Sequence, residues 1–155
     1  MENLQLNSSS AKIFSKELEI STEKSTQFID ITNKLQDFVK NSGISEGNLG
    51  VYSLHTTAAI IINEKEQGLL KDLENFLERI ASRTEKYVHD DLEKRDVPAD
   101  EPINGHSHLR AILLGPSKTL PIQNGKIVLG RWQSVLFAEL DGPRKRRIFL
   151  QVVGK

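Results

Sequence analysis

A chain of 155 residues can bury one substantial core and little more, so a single domain over 1–155 is expected. Its 21 lysines and arginines balance its 21 aspartates and glutamates, which leaves no overall field to draw it to nucleic acid or an anionic membrane. The absence of cysteine excludes disulfides, thiolate metal sites and a cysteine nucleophile, fits a reducing, cytoplasmic setting, and leaves only nitrogen and oxygen to hold a metal.

The first ten residues are polar and serine-rich and are expected to fray. No basic segment followed by an apolar core opens the chain, and no apolar run approaches the ~20 residues that cross a bilayer. Residues 12–20 mix β-formers with charges, the pattern of an edge strand. Ile31, Leu35, Phe38 and Val39 then recur at helical spacing, with Asp30 placed to cap the start and Gly43 to form a left-handed cap at the end. Residues 49–63 are rich in β-branched and small apolar side chains and read as a strand or a bent pair, with His55 in the middle. A second helix follows, with Leu69, Leu70, Leu73, Phe76, Leu77 and Ile80 on a stripe that is too short for a coiled coil and is read as core.

Residues 87–105 turn polar, contain Pro98 and Pro102, and form a long loop of the kind that often carries function. Residues 109–114 make a short helix or strand that Gly115 and Pro116 stop. Residues 119–122, 126–129, 132–140 and 146–153 read as strands, with Asn124-Gly125 and Asp141-Gly142 as tight turns. Two main helices among many strands, without regular alternation, indicate an α+β fold with a mainly antiparallel sheet.

The histidines carry the clearest chemistry. Neutral imidazole is the commonest ligand for zinc, and a catalytic zinc typically takes three protein ligands and keeps one position open. His106 and His108 form a His-x-His pair, and in an extended segment both would face one ion. His55 is followed by the hydroxyls of Thr56 and Thr57, which suit a phosphate or a hydrogen bond to a ligand, and Asn63 and Glu64 stand at a strand-to-helix junction where a carboxylate can act as a base. His89 precedes Asp90 and Asp91, acids able to orient an imidazole or a bound water. The basic run 144–147 sits at a strand start, where alternate side chains diverge, so nucleic-acid binding is not expected. Arg146, with Ser117, is read instead as a phosphate contact.

Several short motifs, in order, resemble one family: Asp30-Ile31-Thr32, His55-Thr56-Thr57-Ala58 to Asn63-Glu64, Tyr87-Val88-His89, Ser107-His108-Leu109, Leu114-Gly115-Pro116-Ser117, Gly130-Arg131-Trp132-Gln133 and Asp141-Gly142-Pro143-Arg144. On these the chain is identified as similar to the YjbQ-like family, known as secondary thiamine-phosphate synthases. The resemblance implies a strongly bent sheet or sandwich, a homotrimer, and a metal site at His55, His89 and His108, with His106 a bystander or a support to the ligands. It also implies Glu64 as catalytic acid or base, Asp90 as an orienting carboxylate, and Trp132 and Gln133 in the substrate pocket. Arg131 departs from the family's usual threonine before Trp-Gln and leaves the substrate open.

The expectation is therefore a divalent ion, zinc, serving an enzyme that acts on a small phosphorylated molecule. The activity that the resemblance implies is thiamine phosphate formation. A zinc-dependent hydrolase of a phosphorylated metabolite and a non-catalytic trimer binding metal and anions are the alternatives. A nitrogen-rich site suits zinc, whereas departure of a diphosphate usually uses magnesium on carboxylates.

Overall fold

Eight strands, several of them alternating apolar and polar residues, build two sheets. The computed structural model describes residues 10–98 and 100–155, so residues 1–9, nearly all of the segment expected to fray, lie outside it. The strands are β1 Lys12–Ser21, β2 Gln27–Asp30, β3 Gly47–Ser53, β4 Ala58–Asn63, β5 Ser117–Gln123, β6 Lys126–Ile127, β7 Ser134–Glu139 and β8 Lys145–Gly154. The helices are α1 Thr32–Ser42, α2 Gln67–Ile80 and α3 Gly105–Leu114. One sheet has the order β1-β8-β3-β5-β6 and the other β2-β7-β4, all pairs antiparallel. The fold is α+β.

The main core lies between the sheets and under α1. Strand β8 buries Arg146, Ile148, Leu150 and Val152 and exposes Lys145, Arg147 and Gln151, so only one of its faces is covered. Strand β7 is buried on both faces: Val135 and Phe137 join the main core, while Leu140, just beyond its end, packs with Leu77 of α2 and Ala111 of α3 in a second cluster. Helix α1 contributes Leu35, Phe38 and Val39, each worth about 1.5–3 kcal/mol of burial. Its ends are as expected: Asp30 Oδ1 accepts the Thr32 N–H at 2.9 Å, and Gly43 closes the helix at φ 67°.

The structure decides or corrects four expectations. Residues 49–63 are a bent pair whose members belong to different sheets, because the chain leaves β3 and enters β4 through a turn holding His55. Asp141-Gly142 is not a hairpin turn: it carries the chain from β7 in one sheet to β8 in the other. The segment around 109–114 is helical from Gly105, which removes the premise that His106 and His108 face the same way, since residues two apart on a helix diverge. The stripe of α2 is only partly core, for Leu77 is buried while Leu69, Phe76 and Ile80 face outward. Asn124-Gly125, by contrast, is the expected two-residue turn, with both residues at positive φ joining β5 to β6.

Candidate functional site

The start of α3 and the turn before β4 meet at one crevice. It holds about 410 Å³ and is lined by His55, Thr56, Tyr52, Ala58, His108 and Ile112, among others. His55 belongs to the turn between sheets, where its Nε2 accepts the Arg147 N–H at 2.7 Å and so extends the pairing of β3 with β8. That bond puts the ring's proton on Nδ1 when the ring is neutral. Burial, followed by the neighbouring Arg146, holds this imidazole below its usual pKa.

His89 reaches the same region from a short 3-10 turn, Val88–Asp90. Its ring lies 4.5 Å from that of His108, centroid to centroid. Three contacts bring the turn there: Asp90 Oδ1 accepts the Gly105 N–H at 2.8 Å, Arg95 Nη1 donates to the His89 carbonyl at 2.9 Å, and the Tyr87 hydroxyl donates to the Ser82 carbonyl at 2.7 Å. Burial, and then the adjacent His89, depress the His108 pKa, which favours the neutral ring that a metal requires.

These residues allow a test of the metal expectation. The Nε2 of His89 is buried without a hydrogen-bond partner, a state that costs free energy unless something else meets it. With His108 beside it, the pair offers two imidazoles that could share an ion. The trio does not come together in the same way, because His55 Nε2 is taken by Arg147, and among the described residues no three His, Asp or Glu side chains converge in ligand geometry. His106 turns away and meets the Ser107 hydroxyl at 3.0 Å.

The remaining candidates fall into three places. Arg146 lies between the sheets, where its guanidinium bonds both oxygens of fully buried Glu139 at 2.7 and 2.6 Å and donates to Thr57 Oγ1 at 3.0 Å. Burial alone would raise the Glu139 carboxyl, but Arg146 and the Asp141 N–H outweigh it and hold the pKa below its usual value. Arg146 and Thr57 are thus committed to a structural ion pair rather than turned to a phosphate. Thr56 is exposed at the crevice, and Ser117 is exposed opposite Tyr52.

Asn63 and Glu64 stand elsewhere. Asn63 ends β4, five residues from Ala58 and roughly 17 Å away at the rise of a strand, and Glu64 follows it. There they line a groove of about 480 Å³ against α2, with the Asn63 side chain accepting the Glu64 N–H at 2.8 Å. Trp132 and Gln133 precede β7, whose Ser134 pairs with Asn63, so they share that far end. Trp132 is exposed under the Arg131 guanidinium, which lies 4.8 Å from the ring centroid, and Gln133 folds back to accept the Gly130 N–H.

Comparison with known proteins decides the family. The family description "UPF0047 protein YjbQ-like" matches residues 16–155. The chain belongs to this YjbQ-like family. A UPF0047 protein of Methanothermobacter thermautotrophicus is 44% identical over 144 residues, covering 93% of this chain and 94% of that one. UPF0047 protein YugU of Bacillus subtilis is 32% identical over 141 residues, covering 90% and 98%. Among solved structures, a YjbQ-like protein of unknown function from Sulfolobus solfataricus superposes with a TM-score of 0.84 at 32% identity, covering 94% of this chain and all of that one. A hypothetical protein from Aeropyrum pernix gives 0.82, also at 32% identity, covering 92% and 99%.

Two residues of this YjbQ-like chain escape a reading of side-chain chemistry. Gly105 lets the 3-10 turn close on α3, since a Cβ there would fall 2.7 Å from Tyr87 Cβ. Asn104 is buried, donates to Asp141 at 2.9 Å, and keeps its Oδ1 unpartnered beside the histidine pair's helix. An Asn-Gly step opening a short helix is the one signal that points to them.

Proposed function

We propose that this protein binds a divalent metal ion, zinc by its donor set, at His89 and His108, and uses the adjoining crevice to act on a small phosphorylated molecule. The observation that carries the reading is the unpartnered, buried Nε2 of His89 against the His108 ring. Such an ion supplies Lewis-acid stabilisation of developing negative charge. His55 faces the crevice and joins the ligands only by exchanging the Arg147 N–H for the ion. Tyr52, Leu54, Ala58 and Ile112 give the crevice an apolar wall that would exclude water from one side of a ligand. The exposed hydroxyl of Thr56 is the polar group placed to meet a bound oxygen.

Thiamine phosphate formation, carried over from the family resemblance, is the specific activity to test, and a homotrimer the assembly. Hydrolysis of a phosphorylated metabolite by a zinc-bound water is the alternative activity. A non-catalytic metal and anion binder is favoured by one observation: Glu64 stands at the far end of β4 from the histidines of its own chain. Product formation by zinc-loaded protein, measured beside Glu64→Gln and His108→Ala, separates these readings. The synthase reading expects turnover that both replacements abolish, and equal background product from all three proteins overturns it.

A further inference from the structure

We propose that His55 is a hydrogen-bond donor to the bound phosphorylated molecule and not a ligand of the metal. Its Nε2 stays on the Arg147 N–H, while its Nδ1–H and the Thr56 hydroxyl take a phosphate oxygen in the crevice. The inference rests on that crevice being the functional site, and it assigns the group that recognises the phosphate there.

The place of the ring's proton decides its role. A backbone N–H can donate only to a ring nitrogen that carries no proton, so the 2.7 Å bond from Arg147 fixes the Nδ1–H tautomer. For Nδ1 to bind a metal, that proton would have to move to Nε2, where it would face the Arg147 N–H, donor against donor. For Nε2 to bind one, the Arg147 N–H would lose its acceptor. That acceptor belongs to the sheet: β3 ends at Ser53, the Leu54 N–H still reaches the Arg147 carbonyl at 3.1 Å, and the ring then stands in for the next strand carbonyl. His89 is the opposite case, since its buried Nε2 meets no partner among the described residues.

The surroundings of Nδ1 suit a phosphate. His55 lines the crevice beside Thr56 and His108, and among the described residues no acceptor meets its Nδ1. Thr56 follows it in the chain and is exposed. Of the described residues that line the crevice, none is Asp, Glu, Lys or Arg. An anion there is repelled by no carboxylate and held by no flexible cation, so fixed neutral donors and an ion at the neighbouring histidine pair are what can balance it. A ring clamped through one nitrogen presents the other in a set direction, which is the preorganisation such a donor needs. Leu54, Ala58, Ile112 and Pro116 make the rest of the wall apolar and suit the uncharged body of a phosphate monoester.

Histidine side-chain 1H–15N spectra read the tautomer directly. His55 is expected to show a protonated Nδ1 and a bare Nε2, both unmoved when zinc is added to metal-stripped protein, while His89 and His108 shift. A His55 ring that shifts with zinc as those two do overturns the proposal. Calorimetry with inorganic phosphate and zinc-loaded protein gives the second reading. Binding is expected to weaken about tenfold or more in His55→Ala and to stay within about threefold of wild type in His55→Asn, whose amide nitrogen takes the place of Nδ1. Equal binding by wild type and His55→Ala, or none by either, sinks the donor role. So does an Asn variant as weak as the Ala variant, because the ring would then act only through the turn it holds. The two claims fail separately: a chain that takes up no zinc but binds phosphate through His55 removes only the metal reading, and zinc uptake with phosphate binding indifferent to His55 removes only the donor.

Discussion

Gly105 holds the histidine pair together by what it lacks. A methyl group there would meet Tyr87 Cβ at 2.7 Å and Asp90 Oδ1 at 3.1 Å, and Tyr87 cannot retreat while its hydroxyl is bonded to Ser82. Gly105→Ala is expected to cost about 1–3 kcal/mol by overpacking and to weaken zinc binding at least about tenfold, equivalent to ~1.4 kcal/mol. A denaturation midpoint and a zinc titration check the two halves; unchanged zinc affinity in a destabilised variant would show that the turn does not set the ring spacing. Asp90 caps the same helix start, so Asp90→Ala should lose about 1 kcal/mol, whereas Asp90→Asn, which caps equally well, should keep most of it. Side-chain chemistry marked His89, Asp90 and His108 in the sequence. Their contact was not legible, because residues 19 apart meet only through a backbone approach that one glycine permits.

Helix α2 is tied to the rest by charge as much as by packing. Burial would raise the Glu78 carboxyl, but the Arg83 N–H and the Arg110 guanidinium prevail and hold it at about 2. A carboxyl depressed on folding contributes stability that is fully present above its unfolded value, 4.5, and is lost as the pH falls through the folded value. The thermal midpoint should therefore decline between about pH 4.5 and pH 2, and Glu78→Gln should flatten that decline; an identical profile in the variant would remove Glu78 from the account. Between the sheets, Arg146→Met leaves Glu139 charged, buried and unpaired and is expected to cost about 3–5 kcal/mol, read as a denaturation midpoint. The spacing of α1, its caps and the Asn124-Gly125 hairpin were all legible, since each rests on contacts within a few residues. The four-residue strand β2 was not, nor was the passage from β7 to β8, because a turn signal does not say which sheet the next strand joins.

Across the whole molecule, charge neutrality and the lack of cysteine narrowed the chemistry to nitrogen and oxygen ligands without locating them. The family resemblance then grouped His55, His89 and His108 with Asn63, Glu64, Trp132 and Gln133, and the fold divides that group between the two ends of β4. No pattern in the sequence encodes that separation, which follows from the bend that sends β3 and β4 into different sheets. Helix α2 leaves part of its apolar stripe outward, where helical periodicity alone suggested core, and α3 exposes Leu109, Ile112 and Leu113. The most direct measurement is a zinc titration of the metal-stripped chain beside His89→Ala, His108→Ala and His106→Ala. One ion per chain is expected for the wild type and for His106→Ala, with binding lost in the other two. Equal zinc binding by all four proteins, or none by the wild type, would contradict the metal site.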